Sequence, residues 1–331
     1  MKKLLALGLM LLSLSPLSQA ATTLKIATLA PDGTSWMKMM RGAADQIQKE
    51  TDGRVKMKFF PGGVQGSDKS VLRKIQIRQL QGGAVSAGAL NSISNVTQLY
   101  SLPFTFQNVE ELRAVRSEFD PFISKALEDK GYVLLGMTEG GFAYVMSNKS
   151  ISALSDFGGQ KVWAPEGDVV SQTTFDKAGI APVSLPISDV YTSLQTGLIN
   201  TVAVNPSTSI ALQWHSKLTH STDFPLLFLM GMLVVDKGAF DKIDAADQTI
   251  VRNVMKTTFL AMDQQNQKDE DGARAALVKG GMNFVTLNET EQKAWQQLAK
   301  DTLADLANKG VYPVELFNQL QQRLQAVRAA K

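Results

Sequence analysis

The chain has 331 residues, of which 44% are hydrophobic, and its 34 Lys and Arg residues against 31 Asp and Glu residues give a formal net charge of +3. This length suits two domains of roughly 150 residues each. So balanced a charge does not support a basic surface for nucleic acid. The absence of cysteine excludes a disulfide framework, a thiolate nucleophile and a lipid-modified cysteine anchor.

The first twenty residues have the pattern of a secretory signal peptide. Lys2 and Lys3 supply the charged start, Leu4 to Leu14 supply the apolar stretch, and Ser18-Gln19-Ala20 forms a small-residue cleavage site. An uncleaved membrane anchor is the alternative, but the apolar stretch is about half of the roughly 20 residues that a span needs. We therefore predict cleavage after Ala20, export to the periplasm, and a mature net charge of +1.

Strand and helix patterns alternate in the first half of the mature chain. We predict strands at residues 24–30, 55–60, 82–88 and 133–137, and helices at residues 35–50, from residue 68 onward, and at 109–129. Strand, helix and strand in succession form the unit of a parallel sheet. The strand at 82–88 ends in small residues, which let a ligand approach, and in open α/β sheets ligands bind at that end.

The second half repeats this organisation. A strand at 142–147 leads into a second strand–helix–strand set at 161–204, and an apolar run at 224–235 predicts a returning strand. The helical pattern at 245–278 is long enough, at ~1.5 Å per residue, to reach across two lobes, and 289–330 is also helical. We predict an α/β, two-lobed solute-binding fold with a ligand cleft between the lobes. The first lobe would hold residues 21–145 and 236–275, and the second 146–235 and 276–331.

The sequence offers little support for an enzyme. Ser86 lies in Ala84-Val85-Ser86-Ala87-Gly88, where the first glycine of a nucleophile elbow is replaced by alanine. His215 and His220 are five residues apart, which does not place them on one helix face as a metal pair. Phosphate-binding glycine motifs are absent. We predict no catalytic residues, metal or cofactor; an exported hydrolase that uses Ser86 is the enzymatic alternative.

One long segment matches a known family pattern. Residues Asp156 to Pro165 follow the form Asp-x-x-Gly-x-Lys-Ile-Arg-Val-Pro, residues Ile187 to Asn200 follow Phe-Ser-Glu-Val-Tyr-x-Ala-Leu-Gln-Thr-Gly-Val-Val-Asp, and Asn205-Pro206 comes next. In this the chain resembles the extracytoplasmic solute receptors of tripartite ATP-independent periplasmic (TRAP) transporters, of the dicarboxylate-receptor (DctP) type. Pro61-Gly62-Gly63 and Leu102-Pro103-Phe104 extend the resemblance over most of the mature chain.

The resemblance implies a function. Such a receptor captures a small organic molecule in the periplasm, closes on it, and delivers it to the TRAP membrane permease subunits by docking transiently at the membrane surface. It performs no chemistry on the ligand. A receptor that hands its closed form to a signalling partner is an alternative that no residue of this sequence distinguishes.

The chain departs from the family at two positions that matter for the ligand. The arginine of the first pattern, which usually grips a ligand carboxylate, falls on Trp163, and the arginine of a Gly-Phe-Arg run falls on Ala143. Each such charge-assisted contact is worth about 1.5 to 3 kcal/mol. We therefore predict a ligand with an aromatic or apolar face, or an acid that is bound unconventionally. The indole of Trp163 would offer a flat face and one N–H donor.

The predicted ligand-binding residues come from three parts of the chain. The first lobe would contribute Thr28, Trp36 and the loop from Gly88 to Asn91, in which Asn91 is the candidate side chain. The second lobe would contribute Trp163, Ile187, Tyr191 and Asn205, and the connection between lobes would contribute Phe142 and Tyr144.

Overall fold

The computed structural model describes residues 21–330. The predicted signal peptide, residues 1–20, lies outside this range. Within it, no helix combines the length and apolar character required to span a bilayer.

Helices and strands alternate along most of the described chain. The strands are β1 (Thr22–Thr28), β2 (Val55–Phe60), β3 (Gly82–Ser86), β4 (Tyr132–Ser147), β5 (Trp163–Pro165), β6 (Val183–Leu185), β7 (Thr201–Val204), β8 (His220–Thr222), β9 (Leu227–Asp236) and β10 (Asn283–Val285). The helices are α1 (Ser35–Glu50), α2 (Asp68–Gln76), α3 (Ala87–Leu90), α4 (Val109–Glu128), α5 (Val169–Lys177), α6 (Val190–Thr196), α7 (Pro206–Ala211), α8 (Lys237–Phe240), α9 (Ala245–Lys279), α10 (Glu289–Asn308) and α11 (Val314–Ala329).

The first helix shows how local sequence sets an element. The Thr34 side chain accepts a hydrogen bond from the backbone N–H of Met37 at 3.3 Å and so caps the helix. Met37, Met40 and Ile47 follow at helical spacing, and all three are buried. This apolar stripe packs α1 against the sheet and places its first turn at the rim of the cavity between the two halves of the chain.

The described strands form one large mixed sheet and one small sheet. In the large sheet β1 pairs in parallel with β2 and β3, as the strand–helix–strand pattern predicted. Strand β9 lies antiparallel between β3 and β4, and β4 continues to β7 and β8, with β10 beyond β8. The small sheet consists of β5 and β6 in parallel. The α/β class is therefore confirmed.

Strand β4 connects the two halves of the molecule. Its first part, to Ala143, pairs with β9, and its last part, from Tyr144, pairs with β7. The sequence predicted two separate strands here, at residues 133–137 and 142–147. The structure keeps one strand of 16 residues with register shifts. Buried Glu139 is tolerated because it pairs with Arg113 at 2.6 Å and Arg116 at 3.2 Å.

Helix α9 belongs to both halves. It has 35 residues, about 52 Å at ~1.5 Å per residue. Val251 and Phe259, in its first part, lie in the hydrophobic cluster that α1 shares with β1 and β2. Leu277, near its end, lies in a different cluster, built around Trp163 and Trp214. The prediction of a helix that reaches across both halves is confirmed.

The C-terminal helix packs against the first half. Leu320 and Leu324 of α11 share a hydrophobic cluster with Leu112 of α4. Arg328 pairs with the buried carboxylate of Glu111 at 2.7 Å. The sequence-based boundaries grouped residues 276–331 with the second lobe, and we propose instead that α11 belongs to the first.

Candidate ligand-binding site

A cavity of about 850 Å³ lies between the two halves of the described chain. Its walls come from the carboxyl ends of β1 and β3, from β5 and the β7–α7 junction, and from α9. This volume is in the range of roughly 300 to 1,000 Å³ that small-molecule sites occupy. The wall residues include Thr28, Trp36, Asp68, Ser86, Gly88, Trp163, Asp168, Ile187, Asn205, Trp214, Asn266 and Asp269.

Two of the parallel strands end side by side at the cavity. Thr28 closes β1 and stands opposite Ala84 of β3. Ser86 closes β3, and its hydroxyl donates a hydrogen bond to Asp68 at 2.8 Å while accepting one from the N–H of Ala89. Ser86 therefore anchors a helix start to the rim of the cavity.

A histidine base does not accompany Ser86. The ring of His215 contacts the Ser209 carbonyl at 3.2 Å, and the ring of His220 contacts the Thr219 hydroxyl at 2.8 Å. These contacts engage both histidines of the chain away from Ser86. The geometry of an activated serine, with the base in hydrogen-bond reach, is not present here.

Trp163 forms an aromatic wall inside the second half. Its side chain is buried and packs edge to face on Trp214, with ring centroids 5.2 Å apart at 78°. Its N–H donates to the Leu185 carbonyl at 3.0 Å, which ties β5 to the end of β6. The N–H donor that the sequence suggested for a ligand is thus already bonded within the protein. Trp163 offers the cavity carbon surface instead.

Asn205, at the end of β7, is held by partners from three elements. Its amide nitrogen lies 2.7 Å from the Gly140 carbonyl oxygen and 2.9 Å from the Ser207 hydroxyl and also contacts Glu270, and its two hydrogens are shared among these acceptors. The Gly140 carbonyl can only accept, so the orientation of the amide is fixed. The Asn205 amide oxygen is buried and has no hydrogen-bond partner among residues 21–330.

Glu270 of α9 gathers these bonds on one oxygen atom. Its Oε1 accepts from Asn205 and from the hydroxyl of Ser207. Burial raises the pKa of Glu270 to about 7; the bonds from Ser207 and Asn205 oppose this rise, and Asp269 adds to it. The carboxyl therefore titrates near neutral pH.

The charged side chains of the cavity wall are mostly acidic. Burial raises the pKa of both the Asp68 and Asp168 carboxyls, against the lowering effect of their serine and backbone hydrogen bonds. Asp168 caps α5 and also lies next to Gly88 of the opposite wall. Lys69 and Glu166 approach to 3.7 Å across the cleft. Among the described residues that line the cavity, lysines are the cations and none is an arginine.

Five of the nine predicted ligand-binding residues meet at this cavity, namely Thr28, Trp36, Trp163, Ile187 and Asn205. The sequence could place most of them together because Thr28 and Asn205 lie where strands end and Trp36 and Ile187 lie where helices begin, whereas Trp163 begins β5.

The other four predicted residues lie outside the cavity lining. Phe142 packs edge to face on the phenylalanine opposite it in β9, with centroids 4.9 Å apart. The guanidinium of Arg274 lies 5.9 Å from the ring of Tyr144. Asn91 ends α3 with its N–H bonded to Gly88, and Tyr191 packs on the second-half core. Their roles in binding stay predictions.

Several residues of the wall were not predicted. Asp168 had a recognisable signal, since an aspartate before Val169 is a helix N-cap. Trp214 and Asn266 had none, because the first follows a short irregular turn and the second lies inside a long polar helix face. Asn266 donates to the Thr138 hydroxyl at 2.8 Å and to the Glu139 carbonyl at 2.9 Å. It therefore joins α9 to β4 beside the cavity.

A cavity between two sets of strand ends, bridged by one strand and one long helix, defines a protein that encloses a small molecule. The model of the family described as bacterial extracellular solute-binding protein, family 7, matches residues 26–309, and this chain belongs to that family. It is a family of solute receptors and not of enzymes, and its members are periplasmic. The resemblance to the TRAP receptors of dicarboxylate type is confirmed.

Individual relatives agree over nearly the whole chain. The C4-dicarboxylate-binding periplasmic protein DctP of Rhodobacter capsulatus is 24% identical over 275 residues, covering 81% of this chain and 82% of the relative. The protein YiiZ of Salmonella typhimurium is 25% identical over 311 residues and 91% of each chain. DctP7 of Bordetella pertussis, an extracytoplasmic solute receptor binding pyroglutamic acid, matches with a TM-score of 0.84 at 19% identity, covering 92% of this chain and 100% of that structure. The two-lobed solute-binding fold is confirmed.

Proposed function

We propose that this protein is the periplasmic receptor of a TRAP-type secondary transporter, which captures a small organic molecule in the cavity and delivers it to the membrane permease. Family membership supports the transport role. The observation that carries the proposal is the cavity of about 850 Å³, walled by strand ends from both halves of the chain. A ligand there touches both halves and so favours the closed state through its differential affinity.

The ligand, we infer, is not held by an arginine clamp. The family's arginine position is Trp163, and the position of the second arginine is Ala143, which also lines the cavity. Trp36, Trp163 and Trp214 all contribute to its wall. By their names, DctP of Rhodobacter capsulatus and DctP7 of Bordetella pertussis bind organic acids, so an acid group is compatible with the proposal. Its binding energy would then come mainly from apolar contact, at roughly 25 cal/mol per Å² of buried apolar surface.

The polar end of the ligand is expected at the Asn205 wall. The Asn205 oxygen is a buried acceptor that lacks a donor among the described residues. Leaving such a group unpaired costs about 1 to 3 kcal/mol. A ligand hydroxyl or N–H, or a water that accompanies the ligand, would remove this cost once the side chains adjust on binding.

Export and lobe boundaries complete the proposal. Cleavage after Ala20 would release the mature receptor, which the intact mass of protein from a periplasmic extract measures directly. The first lobe would comprise residues 21–145, 236–275 and α11, and the second the remaining mature chain.

The test is native mass spectrometry of protein purified without refolding, because receptors of this kind can retain their ligand. We expect a bound small organic molecule with an apolar or aromatic part. A thermal-shift screen of organic acids then ranks candidates. Stabilisation by simple dicarboxylates alone would contradict the apolar-ligand proposal. If both Asn205→Ala and Trp163→Ala retained the bound compound, the proposed site would be contradicted.

A further inference from the structure

The corner where β7 turns into α7 is joined to the two elements that run between the halves. Asn205 reaches the Gly140 carbonyl of β4 at 2.7 Å and Glu270 of α9. The Ser207 hydroxyl bonds to the same Glu270 oxygen. Gly141 has φ +88°, and a Cβ atom there would lie 3.1 Å from Glu270. The Asn205 side chain therefore connects the cavity wall to both elements that cross from one half to the other, and the Glu270 carboxyl is its partner on α9.

We propose that Glu270 is a positioning residue that fixes the Asn205 amide at the cavity wall and thereby sets the affinity for the ligand. This inference rests on the proposed function only for its second part, the link to affinity. Glu270 does not line the cavity itself, so it acts through Asn205. Because the amide nitrogen is directed to Gly140 and Glu270, the Asn205 oxygen is the atom left for a ligand donor.

The charge of Glu270 is the variable in this arrangement. An ionised carboxylate accepts stronger hydrogen bonds than a neutral acid. Burial places the pKa of Glu270 at about 7, so the charged acceptor exists above that pH and the neutral one below it. We expect the Asn205 amide to be held most firmly, and the ligand to bind most tightly, above neutral pH.

Other charged groups surround Glu270 without neutralising it. On its own helix Asp269 raises its pKa, and Arg274, one turn further on, pairs with Asp223 at 2.8 Å. On β4 the facing titratable group is Tyr144, whose pKa burial raises. From α1, Ser35 donates a hydrogen bond to Asp269. The corner residues Asn205 and Ser207 carry no charge.

The first measurement needs no ligand. The side-chain amide resonance of Asn205, assigned by its loss in Asn205→Ala, is followed by nuclear magnetic resonance as the pH is raised through 7. We expect it to titrate with a midpoint near neutral pH in the wild type and to stay constant in Glu270→Gln. Asp271→Asn, which removes a charge from the exposed side of the same helix, is the control and should titrate as the wild type does. A resonance that does not move in the wild type would overturn the positioning role.

The second measurement tests affinity with the fluorescent probe anilinonaphthalene sulfonate, whose aromatic body suits an apolar cavity. Wild-type affinity is expected to rise about fivefold between acidic and alkaline sides of neutrality, and Glu270→Gln to bind at the weak, pH-independent level. Equal pH profiles in the two proteins would overturn the link to affinity. Unchanged probe affinity in Trp163→Ala would contradict the proposed binding site instead, while the resonance titration still decides the role of Glu270.

Discussion

Two places on the second-half wall of the cavity are held in opposite ways. Trp163 is fixed entirely within its own half, by the Leu185 carbonyl and the ring of Trp214. Asn205 is fixed by β4 and α9, the elements that cross between the halves. A ligand that contacts Trp163 contacts an uncharged apolar surface. A ligand that contacts Asn205 contacts a group that is bonded to β4 and to the titratable carboxyl of Glu270 on α9. Shape selection and the response to closure can therefore be separated by mutation.

The largest expected effect is at Trp163. Trp163→Ala should lower the free energy of unfolding by about 3 to 5 kcal/mol, because it leaves a cavity beside Trp214 and removes one of the two hydrogen bonds to the Leu185 carbonyl. Denaturant unfolding measures this. Trp163→Phe, which keeps an aromatic surface, should lose less stability. Ligand affinity is measured in both variants. We expect it to fall tenfold or more on Trp163→Ala, at least about 1.4 kcal/mol, and less on Trp163→Phe. Unchanged affinity in both variants would show that the indole does not meet the ligand.

The next effect concerns pH and Glu270. Its folded-state pKa of about 7 exceeds the ordinary 4.5, so its contribution to stability is fully present below pH 4.5 and is lost as pH rises through 7. The loss amounts to about 3 kcal/mol. Glu270→Gln removes this dependence, so the variant should gain stability relative to the wild type between pH 5 and 8. Denaturant unfolding at the two pH values isolates the effect as a difference, and parallel curves would contradict it.

Gly141 tests the junction between β4 and α9. Gly141→Ala combines a left-handed backbone, which costs roughly 1 to 2 kcal/mol, with a contact 3.1 Å from Glu270. Gly179→Ala is the matched control, since Gly179 also has positive φ but an added Cβ would meet nothing within 4 Å. We expect Gly141→Ala to be the more destabilising in thermal unfolding. Equal losses would show that the contact with Glu270 yields without cost.

The smallest effect is expected where the halves touch at the cleft rim. Lys69 and Glu166 lie 3.7 Å apart and are both exposed to solvent. Exposed ion pairs of this kind contribute about 0 to 1 kcal/mol. A double-mutant cycle with Lys69→Met and Glu166→Gln should therefore give a coupling energy within that range, screened further by salt. A larger coupling energy would indicate that the Lys69–Glu166 ion pair at the rim, and not the corner around Asn205, controls closure.

Local patterns were sufficient for most of the fold. The cap at Thr34, the stripe of Met37 and Met40, and the length of α9 follow from hydrogen bonding and periodicity between near neighbours in the chain. The sequence predicted two strands, at residues 133–137 and 142–147, where the structure has the single strand β4, because ion pairs from Arg113 and Arg116 stabilise the buried Glu139 between them. Arg113 and Arg116 lie more than twenty residues before Glu139, so the local sequence does not reveal these ion pairs.

The sequence by itself predicted that this chain is an α/β receptor, that Trp163 and Ala143 replace two arginines of the family pattern, and which strand ends face the cleft. These conclusions depend on residue identity and on spacing along one segment at a time. Only the tertiary structure decided that the Trp163 N–H is bonded to the Leu185 carbonyl, that α11 packs on α4, and that Asn205 is bonded to Gly140 of β4 and Glu270 of α9. Each of these findings is a contact between residues that are distant in the sequence. Which acceptor a side-chain donor bonds to is decided only when folding brings such residues together.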